Sequence, residues 1–334
     1  MNSKNIRVIH YGLGPIGAET ARLVLKKPHM EIVGAVDISK DMAGKDLGNI
    51  LDLERELGIV VTDNGRQLLS GVKADIVIHT TGSRIKNIFS QLIEIVDTGI
   101  NVVSSAEELL FPLSENAELA NELDLKAIEN GVTVLGTGVN PGFVMDSLPL
   151  FMTAVCQDVK KIYVERVVDA STRRHPLQKK IGAGMTLEVF RAKIDEKSLG
   201  HVGLLESFYF IADRLRFSID EVKETVDPVM ADSPVKTDYF DLKTGDIVGV
   251  KHIVEGIKDG EKVITLDLRM YIGADDPHDS ISIVGIPNLN LRIDGGIAGD
   301  QATAAILVNS IPAVIEAAPG LTNVQALPSP YFYR

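Results

Sequence analysis

The feature that most constrains the fold of this chain is a glycine-rich turn between an apolar strand and a helix. The apolar run Ile6–Tyr11 comes directly before the turn, and an amphipathic helix is predicted over Ile16–Lys26. The G-x-G-x-x-G spacing is formed by Gly12, Leu13, Gly14, Pro15, Ile16 and Gly17. The spacing alone is a weak signal, but a strand before it and a helix after it indicate a dinucleotide-binding βαβ unit.

Each glycine of this turn has its own predicted role. Gly12 would permit the tight turn, Gly14 the close approach of a pyrophosphate, and Gly17 the close packing of helix and strand. The N-terminus of the helix presents N–H groups and the positive end of its dipole to phosphates. We therefore predict that the whole turn, including Leu13, Pro15 and Ile16, contacts the cofactor.

Asp37 closes the second predicted strand, twenty residues after Gly17. A carboxylate there accepts hydrogen bonds from the adenine ribose hydroxyls and repels a 2′-phosphate, which favours NAD. Ser39, Lys40 and Lys45 follow closely, so NADP stays open as the alternative cofactor.

The hydrophobic pattern changes along the chain. As far as Gly142, continuous apolar runs alternate with helix-length segments, which is typical of a parallel, doubly wound sheet. Beyond Ser147 the predicted strands alternate polar and apolar residues, as in antiparallel sheets. These strands are Lys161–Ala170, Lys236–Asp241, Asp246–Glu255 and Lys262–Ile272.

We therefore predict an α/β protein of three segments. Residues 1–146 form a Rossmann-type, doubly wound parallel sheet, and residues 147–296 form a second α+β domain with a mostly antiparallel sheet. In residues 297–334, an apolar helix over Gln301–Ala317 returns to the first domain. Strands long enough to build a flat face predict a homodimer that packs through the second sheet.

Three predicted strand ends are rich in small polar residues, and open parallel sheets bind ligands at the carboxyl ends of their strands. The three segments are His79–Ser83, Ser104–Glu108 and Gly136–Gly142. From them we predict that the nicotinamide and its ribose are contacted by Thr80, Thr81, Gly82, Asn140 and Pro141.

Glu107 and Glu108 are adjacent at the start of a short helical turn. Successive side chains on a helix diverge by about 100°, so at most one of the two faces the cleft. A carboxylate beside nicotinamide can take a proton from an amine or from attacking water. We prefer Glu108 as this base, but the residues do not decide between the pair, and two solvated acids at a helix start remain the alternative.

Charge and cysteine content exclude several classes of protein. The chain has 46 acidic and 34 basic residues and a net charge of −12, which disfavours nucleic-acid binding. No apolar stretch approaches the ~20 residues that cross a bilayer. The single cysteine, Cys156, argues against a disulfide and a Cys-ligated metal and is typical of a reducing cytoplasm. We expect a cytoplasmic protein without a metal site.

Four segments carry a resemblance to the 2,4-diaminopentanoate dehydrogenase and native amine dehydrogenase group of the dihydrodipicolinate-reductase-like family. They are Asn101–Pro112, Gly136–Asp146, Val167–Thr186 and Gly295–Ala305. The resemblance implies oxidative deamination of the C4 amine of 2,4-diaminopentanoate with NAD or NADP, giving 2-amino-4-oxopentanoate and ammonia. It places the proton-transferring glutamate at the Glu107–Glu108 pair. The Asp-Ala-Pro-Ser-Gly-Thr stretch of true dihydrodipicolinate reductases is absent, so that reductase activity is not expected.

The amino-acid end of such a substrate needs a partner for its carboxylate. Arg173 or Arg174 would clamp it bidentately, with Gln178 as a neutral donor. A surface ion-pair role for the arginines is the alternative. Two other functions remain open at this point: an amine dehydrogenase acting on 4-oxopentanoate-like ketones, and a non-catalytic dinucleotide sensor.

Overall fold

The computed structural model of the protein describes residues 5–196 and 198–333. The chain divides after Phe143 and again after Ile297. The first unit contains the chain before Val144 and after Ile297, and the second unit is Val144–Ile297. The boundaries expected from the sequence, 146/147 and 296/297, lie within three residues of these divisions.

The described residues contain fourteen strands, ten α-helices and three short 3-10 turns. The strands are β1 (Ile6–Tyr11), β2 (Met30–Val36), β3 (Ile76–His79), β4 (Asn101–Ser104), β5 (Thr133–Gly136), β6 (Asp158–Asp169), β7 (Glu221–Met230), β8 (Val235–Lys236), β9 (Asp241–Leu242), β10 (Ile247–Lys258), β11 (Glu261–Tyr271), β12 (His278–Ile286), β13 (Leu289–Asp294) and β14 (Gly320–Thr322). The helices are α1 (Pro15–Val24), α2 (Leu47–Ile50), α3 (Gly65–Gly71), α4 (Ile85–Val96), α5 (Ala117–Glu129), α6 (Ser147–Met152), α7 (His175–Lys180), α8 (Leu187–Asp195), α9 (Leu204–Leu215) and α10 (Gly299–Glu316). The 3-10 turns are Glu107–Leu109, Ser114–Asn116 and Thr153–Val155.

The first unit is built on one parallel sheet with the strand order β14-β5-β4-β3-β1-β2. Side chains of alternate strand residues, including Ile9, Val77 and Val102, pack with α4 and α5 on one face. Val8 and Ile78 point to the opposite face and are also fully buried. There α1 and α10 pack on each other and on the strands. Strands buried on both faces explain the continuous apolar runs, and the predicted doubly wound sheet is confirmed.

The second unit is built on a sheet with the order β13-β12-β6-β11-β10-β7. The β6–β11 pair is parallel and the other neighbours are antiparallel, so the sheet is mixed. One face is apolar: α9 contacts β10 and β11, and Phe208 fills the space over Gly256. The other, which we call the charged face, carries Glu165, Asp267 and Arg269.

The prediction of one continuous strand over Lys236–Asp241 is wrong. Only its ends are extended, in the two-residue strands β8 and β9, and the residues between them form a turn. The hydroxyl of Thr237 accepts hydrogen bonds from the N–H groups of Tyr239 and Phe240, at 3.2 and 3.1 Å. A threonine side chain that satisfies backbone donors in this way competes with a strand ladder.

Three strands of the second sheet were not predicted: β7, β12 and β13. The strand β7 lies at the edge of the sheet and contains Pro228. A proline argues against a strand in a sequence, because an edge position cannot be recognised before the neighbouring strands are known.

In the part of the chain that the structure describes, none of the helices combines the length and apolar character that a membrane crossing requires.

Candidate active site

The glycine turn between β1 and α1 has the geometry of a phosphate cradle. Gly12 has a φ of +96°, which favours glycine. A Cβ at Gly17 would lie 2.0 Å from the carbonyl oxygen of Gly12, so no larger residue fits there. A Cβ at Gly14 would meet nothing within 4 Å. The space in front of Gly14, at the N-terminus of α1, therefore fits the close approach of a pyrophosphate.

The other residues of the turn contribute in different ways. The side chain of Leu13 is buried, and its N–H donates to Asp37. Pro15 is the first residue of α1, where a missing N–H costs no helical hydrogen bond. Ile16 follows it and is half-buried.

Asp37 is fixed by two backbone donors directly after β2. Its Oδ2 accepts from Leu13 N at 2.7 Å, and its Oδ1 accepts from Ser39 N at 2.8 Å. A carboxylate has about four acceptor positions, so room remains for two ribose hydroxyls. The contact with Leu13 also ties this carboxylate to the glycine turn.

The end of β3 is joined to the same turn. Thr80 donates its hydroxyl hydrogen to the carbonyl oxygen of Gly12 at 2.8 Å, and its N–H bonds to Tyr11. Thr81 is exposed and Gly82 is half-buried. The hydroxyl of Thr80 therefore holds the turn in place, while Thr81 and Gly82 face outward.

The two adjacent glutamates have different surroundings. Glu108 is 5% exposed, and its Oε2 accepts from Ile85 N at 2.8 Å and from Asn116 Nδ2 at 3.0 Å. Its Oε1 lies 3.7 Å from Arg84 Nη1. This carboxylate thus satisfies the N-terminus of α4 and complements its dipole. Glu107, in the same 3-10 turn, is half-exposed.

The segment after β5 completes this edge of the sheet. The N–H of Thr137 donates to the carbonyl of Ser104 at 2.9 Å, and Val139 N donates to Thr303 Oγ1 of α10 at 3.3 Å. Gly142 has a φ of +124°, and a Cβ there would lie 2.4 Å from Gly138 N. The tight bend formed in this way carries Asn140 and Pro141.

Because β1, β3, β4 and β5 are neighbours in the order β5-β4-β3-β1, these segments share one edge of the first sheet. The structure thus brings together the glycine turn, the Thr80–Gly82 segment, the two glutamates and the Asn140–Pro141 bend. All of them were singled out in the sequence as candidates for cofactor binding or catalysis.

The predicted substrate residues lie in the second unit, around the start of α7. Arg173 is half-buried and Arg174 is exposed. Gln178 is completely buried, and its Nε2 donates to the carbonyls of Ala170, Ser171 and Arg173 at 3.0, 3.0 and 2.8 Å. Its amide hydrogens are used inside the chain, in holding the turn that carries the arginines.

Two buried histidines of the first sheet were not among the predicted site residues. His79 ends β3 and is hydrogen-bonded through both ring nitrogens, and burial lowers its pKa to about 4. His10 lies in β1; neither ring nitrogen has a partner among the described residues, and burial lowers its pKa to about 3. In the sequence, a histidine within an apolar run looks like a core residue. Only the contacts in the folded protein distinguish the hydrogen-bonded His79 from His10, whose ring has no partner among the described residues.

Comparisons with known proteins agree on one group. The profile of the 2,4-diaminopentanoate dehydrogenase C-terminal domain matches residues 143–333, and that of the dihydrodipicolinate reductase N-terminus matches residues 6–106. A 2,4-diaminopentanoate dehydrogenase of Acetoanaerobium sticklandii is 34% identical over 98% of this chain and 94% of its own length.

Two further relatives are amine dehydrogenases. One from Streptomyces virginiae is 25% identical, over 97% of this chain and 96% of its own. The structure of an amine dehydrogenase from Mycobacterium smegmatis superposes with a TM-score of 0.87 at 25% identity, covering 99% of this chain and 98% of that one.

Proposed function

The chain belongs to the 2,4-diaminopentanoate dehydrogenase family, and from that premise we propose that it oxidatively deaminates the C4 amine of 2,4-diaminopentanoate with NAD. Its dehydrogenase relatives, aligned over nearly the whole chain, make it an NAD(P)-dependent amine dehydrogenase. The observation that carries the proposal is the position of half-exposed Glu107 at the same sheet edge as the glycine turn.

The residues of the first unit fit a dinucleotide. The glycine turn and the N-terminus of α1 would hold the pyrophosphate, and Asp37 the adenine ribose. Thr81, Gly82 and Asn140 would hold the nicotinamide end. When bound, the nicotinamide accepts the hydride that leaves C4. Support for NAD rather than NADP comes from the Asp37 carboxylate, because its negative charge repels a 2′-phosphate.

Glu107 is the proposed base, and Glu108 is proposed to hold the turn that carries Glu107 in place. The Oε2 of Glu108 already accepts two hydrogen bonds at the start of α4, so we place Glu108 in a supporting role. Glu107 takes a proton from the substrate ammonium and releases it to solvent, which leaves the neutral amine that can lose hydride.

Hydrolysis of the resulting iminium ion uses the same carboxylate. Glu107 removes a proton from a water molecule as its oxygen bonds to C4, and then returns that proton to the nitrogen. As the C–N bond breaks, the same carboxylate takes the remaining hydroxyl proton from the C4 oxygen and passes it to the departing ammonia, which leaves as ammonium. In sum, the ammonium substrate, NAD and water give the ketone, an ammonium ion, the reduced cofactor and one proton.

Arg173 is the proposed partner of the substrate carboxylate. It is half-buried, and it lies close enough to Arg166 to lower the pKa of that guanidinium, after the larger effect of burial. A positive charge in such surroundings is favourable for a bidentate carboxylate. Exposed Arg174 is the alternative. For Gln178 we propose a role in shaping this turn rather than in direct contact.

A second candidate function, an amine dehydrogenase acting on 4-oxopentanoate-like ketones, is favoured by the full-length relatives named amine dehydrogenase. Steady-state kcat/KM for 2,4-diaminopentanoate and for 4-aminopentanoate, each with NAD and with NADP, separates the two. We expect diaminopentanoate with NAD to be preferred at least tenfold. Equal values for the two amines would favour the second function.

The base is tested by Glu107→Gln with Glu108→Gln as its matched control. A general base contributes about 10²–10⁴-fold, so we expect at least a hundredfold loss of kcat for Glu107→Gln. Glu108→Gln keeps an acceptor oxygen for Ile85 N and should stay within about tenfold. The opposite order would assign the base to Glu108.

We also propose that the protein is a homodimer through the charged face of the second sheet. Tyr163 and Val284 lie on this face and are 37% and 43% exposed, so it offers apolar area among its charges. Sedimentation velocity of the wild-type protein and of Val284→Asp tests this. A wild-type monomer would contradict it.

A further inference from the structure

Four polar side chains form one continuous hydrogen-bonded chain at the carboxyl edge of the first sheet. Ser104 Oγ lies 3.0 Å from His79 Nδ1, and His79 Nε2 lies 2.9 Å from Gln91 Oε1. Thr81 Oγ1 lies 2.6 Å from the same Gln91 oxygen and 2.9 Å from His79 Nε2. Beyond Ser104, its Oγ accepts from Ala106 N at 3.1 Å.

The direction of every bond in this chain follows from the chemistry of its members. Because the carbonyl oxygen of Gln91 only accepts, Thr81 donates its hydroxyl hydrogen to Gln91 Oε1, and His79 Nε2 carries the hydrogen. The Nε2–H group is shared between Gln91 Oε1 and Thr81 Oγ1, which both accept from it. Neutral imidazole then has Nδ1 as an acceptor, and Ser104 donates to it. Ser104 Oγ in turn accepts from Ala106 N. No donor faces a donor, so one tautomer satisfies the whole network.

The two ends of the network are the two halves of the candidate site. At one end Thr81 follows β3 in the segment expected to contact the nicotinamide end of the cofactor. At the other end Ala106 immediately precedes Glu107. His79 is completely buried and lies between them, on β3, with Ser104 beside it on β4. Moving the imidazole would disturb both ends.

We propose that His79 is a positioning residue that fixes the Thr81 segment and the Glu107 turn relative to each other through Gln91 and Ser104. The inference rests on the proposed function for the roles of Thr81 and Glu107. His79 touches neither substrate nor cofactor. It sets the separation of the groups that do, and the network also orients the Thr81 hydroxyl so that its remaining lone pair accepts from a donor on the ligand.

The network predicts that variants at its two ends affect different parameters: the Thr81 end NADH binding, and the Ala106 end kcat. Gln91→Met keeps the size of the side chain and removes the acceptor that holds Thr81, so it should weaken NADH binding about threefold to tenfold with a smaller change in kcat. Ser104→Ala removes the link to Ala106, so it should lower kcat by a similar factor and leave NADH binding within about twofold. Gln91→Glu, which keeps an acceptor oxygen, should rescue binding.

The measurements are NADH dissociation constants by fluorescence titration, kcat at saturating NAD and amine, and melting temperatures. The double variant Gln91→Met/Ser104→Ala should show coupling, with each effect depending on the other, since both act through one imidazole. Equal effects of both variants on both parameters, or additive effects in the double variant, would overturn the proposal.

Failure of the proposed function is distinguishable from failure of this inference. NADH titration needs no amine, so the Gln91 and Thr81 end is tested even if the substrate is wrong. If Glu107→Gln retains full activity, the base assignment fails, while the coupling between the two variants still reports on His79.

Discussion

The polar groups that the strands of the two sheets bury differ in charge. In the first sheet the strands bury uncharged side chains, such as His10, His79 and Ser104. In the second the strands bury an ion pair, in which Arg166 Nη1 of β6 lies 2.6 and 2.8 Å from the two carboxylate oxygens of Asp279 on β12. These two residues are direct cross-strand partners.

The difference reflects what each sheet supports. At the carboxyl edge of the first sheet the carboxylates lie in the segments that follow the strands, such as Asp37 and Glu108, and the buried strand ends add neutral hydrogen-bonding groups. In the second sheet, Arg166 and Asp279 also bind the carbonyl and the N–H of Ile297, both at 2.7 Å. A buried pair of this kind fixes strand register and the path of the chain at the end of the unit.

The largest expected effect tests the ion pair. Arg166→Met leaves the carboxylate of Asp279 buried without its partner, so the free energy of unfolding should fall by about 3–5 kcal/mol. Urea denaturation monitored by circular dichroism measures this. The double variant Arg166→Met/Asp279→Leu should recover most of the loss.

The matched surface control is Lys236→Met, which removes the exposed pair with Asp241 in the same unit. We expect no measurable change in its unfolding curve, because exposed pairs contribute little. A buried-pair variant as stable as this control would show that the two sheets do not differ as described.

The next effect tests the steric demands of the glycine turn. An alanine Cβ at Gly17 would lie 2.0 Å from a backbone oxygen, whereas one at Gly14 meets open space. Gly17→Ala should therefore lower both the melting temperature and the NADH affinity, the latter at least tenfold, the factor given by about 1.4 kcal/mol. Gly14→Ala should leave the melting temperature unchanged and weaken only NADH binding.

Thermal unfolding without ligand and fluorescence titration with NADH separate the two effects. If Gly14→Ala binds NADH as tightly as the wild type, the pyrophosphate does not approach the turn at that glycine.

The smallest of the three effects appears only in acid. An unfolded histidine has a pKa near 6.5, and burial lowers that of His10 in the folded protein to about 3. Between these values the unfolded chain binds a proton that the folded chain excludes, so stability falls as the pH drops below about 6.5. At pH 4.5 the cost of His10 alone would be about 2.7 kcal/mol, since two pH units separate this pH from the unfolded pKa.

His10→Leu removes this cost, so its stability should fall less steeply between pH 7 and pH 4.5 than that of the wild type. The readout is the difference in slope, measured by urea denaturation across this range, and is independent of any packing change at pH 7. Identical slopes would show that His10 is protonated in the folded protein or is hydrated there.

The parallel sheet was predictable because burial on both faces leaves a continuous apolar signal in each strand. The second sheet was harder to predict from the sequence. Its edge strand β7 is rich in charged residues and contains Pro228. Lys236–Asp241 has a strand-like composition, but the Thr237 hydroxyl folds it into a turn. Contacts within the turn, rather than propensity, decided that outcome.

The sequence by itself determined the geometry of the glycine turn, because the steric contacts that require its glycines lie within a strand, a turn and a helix that are adjacent in the chain. The tertiary structure alone separated Glu107 from Glu108, since Ile85 and Asn116 reach Glu108 only in the folded protein. The folded structure likewise places Gln178 against backbone carbonyls and His79 against Ser104 and Gln91. Local sterics can be read along a chain, whereas the role of a buried polar side chain depends on which donors and acceptors folding brings to it.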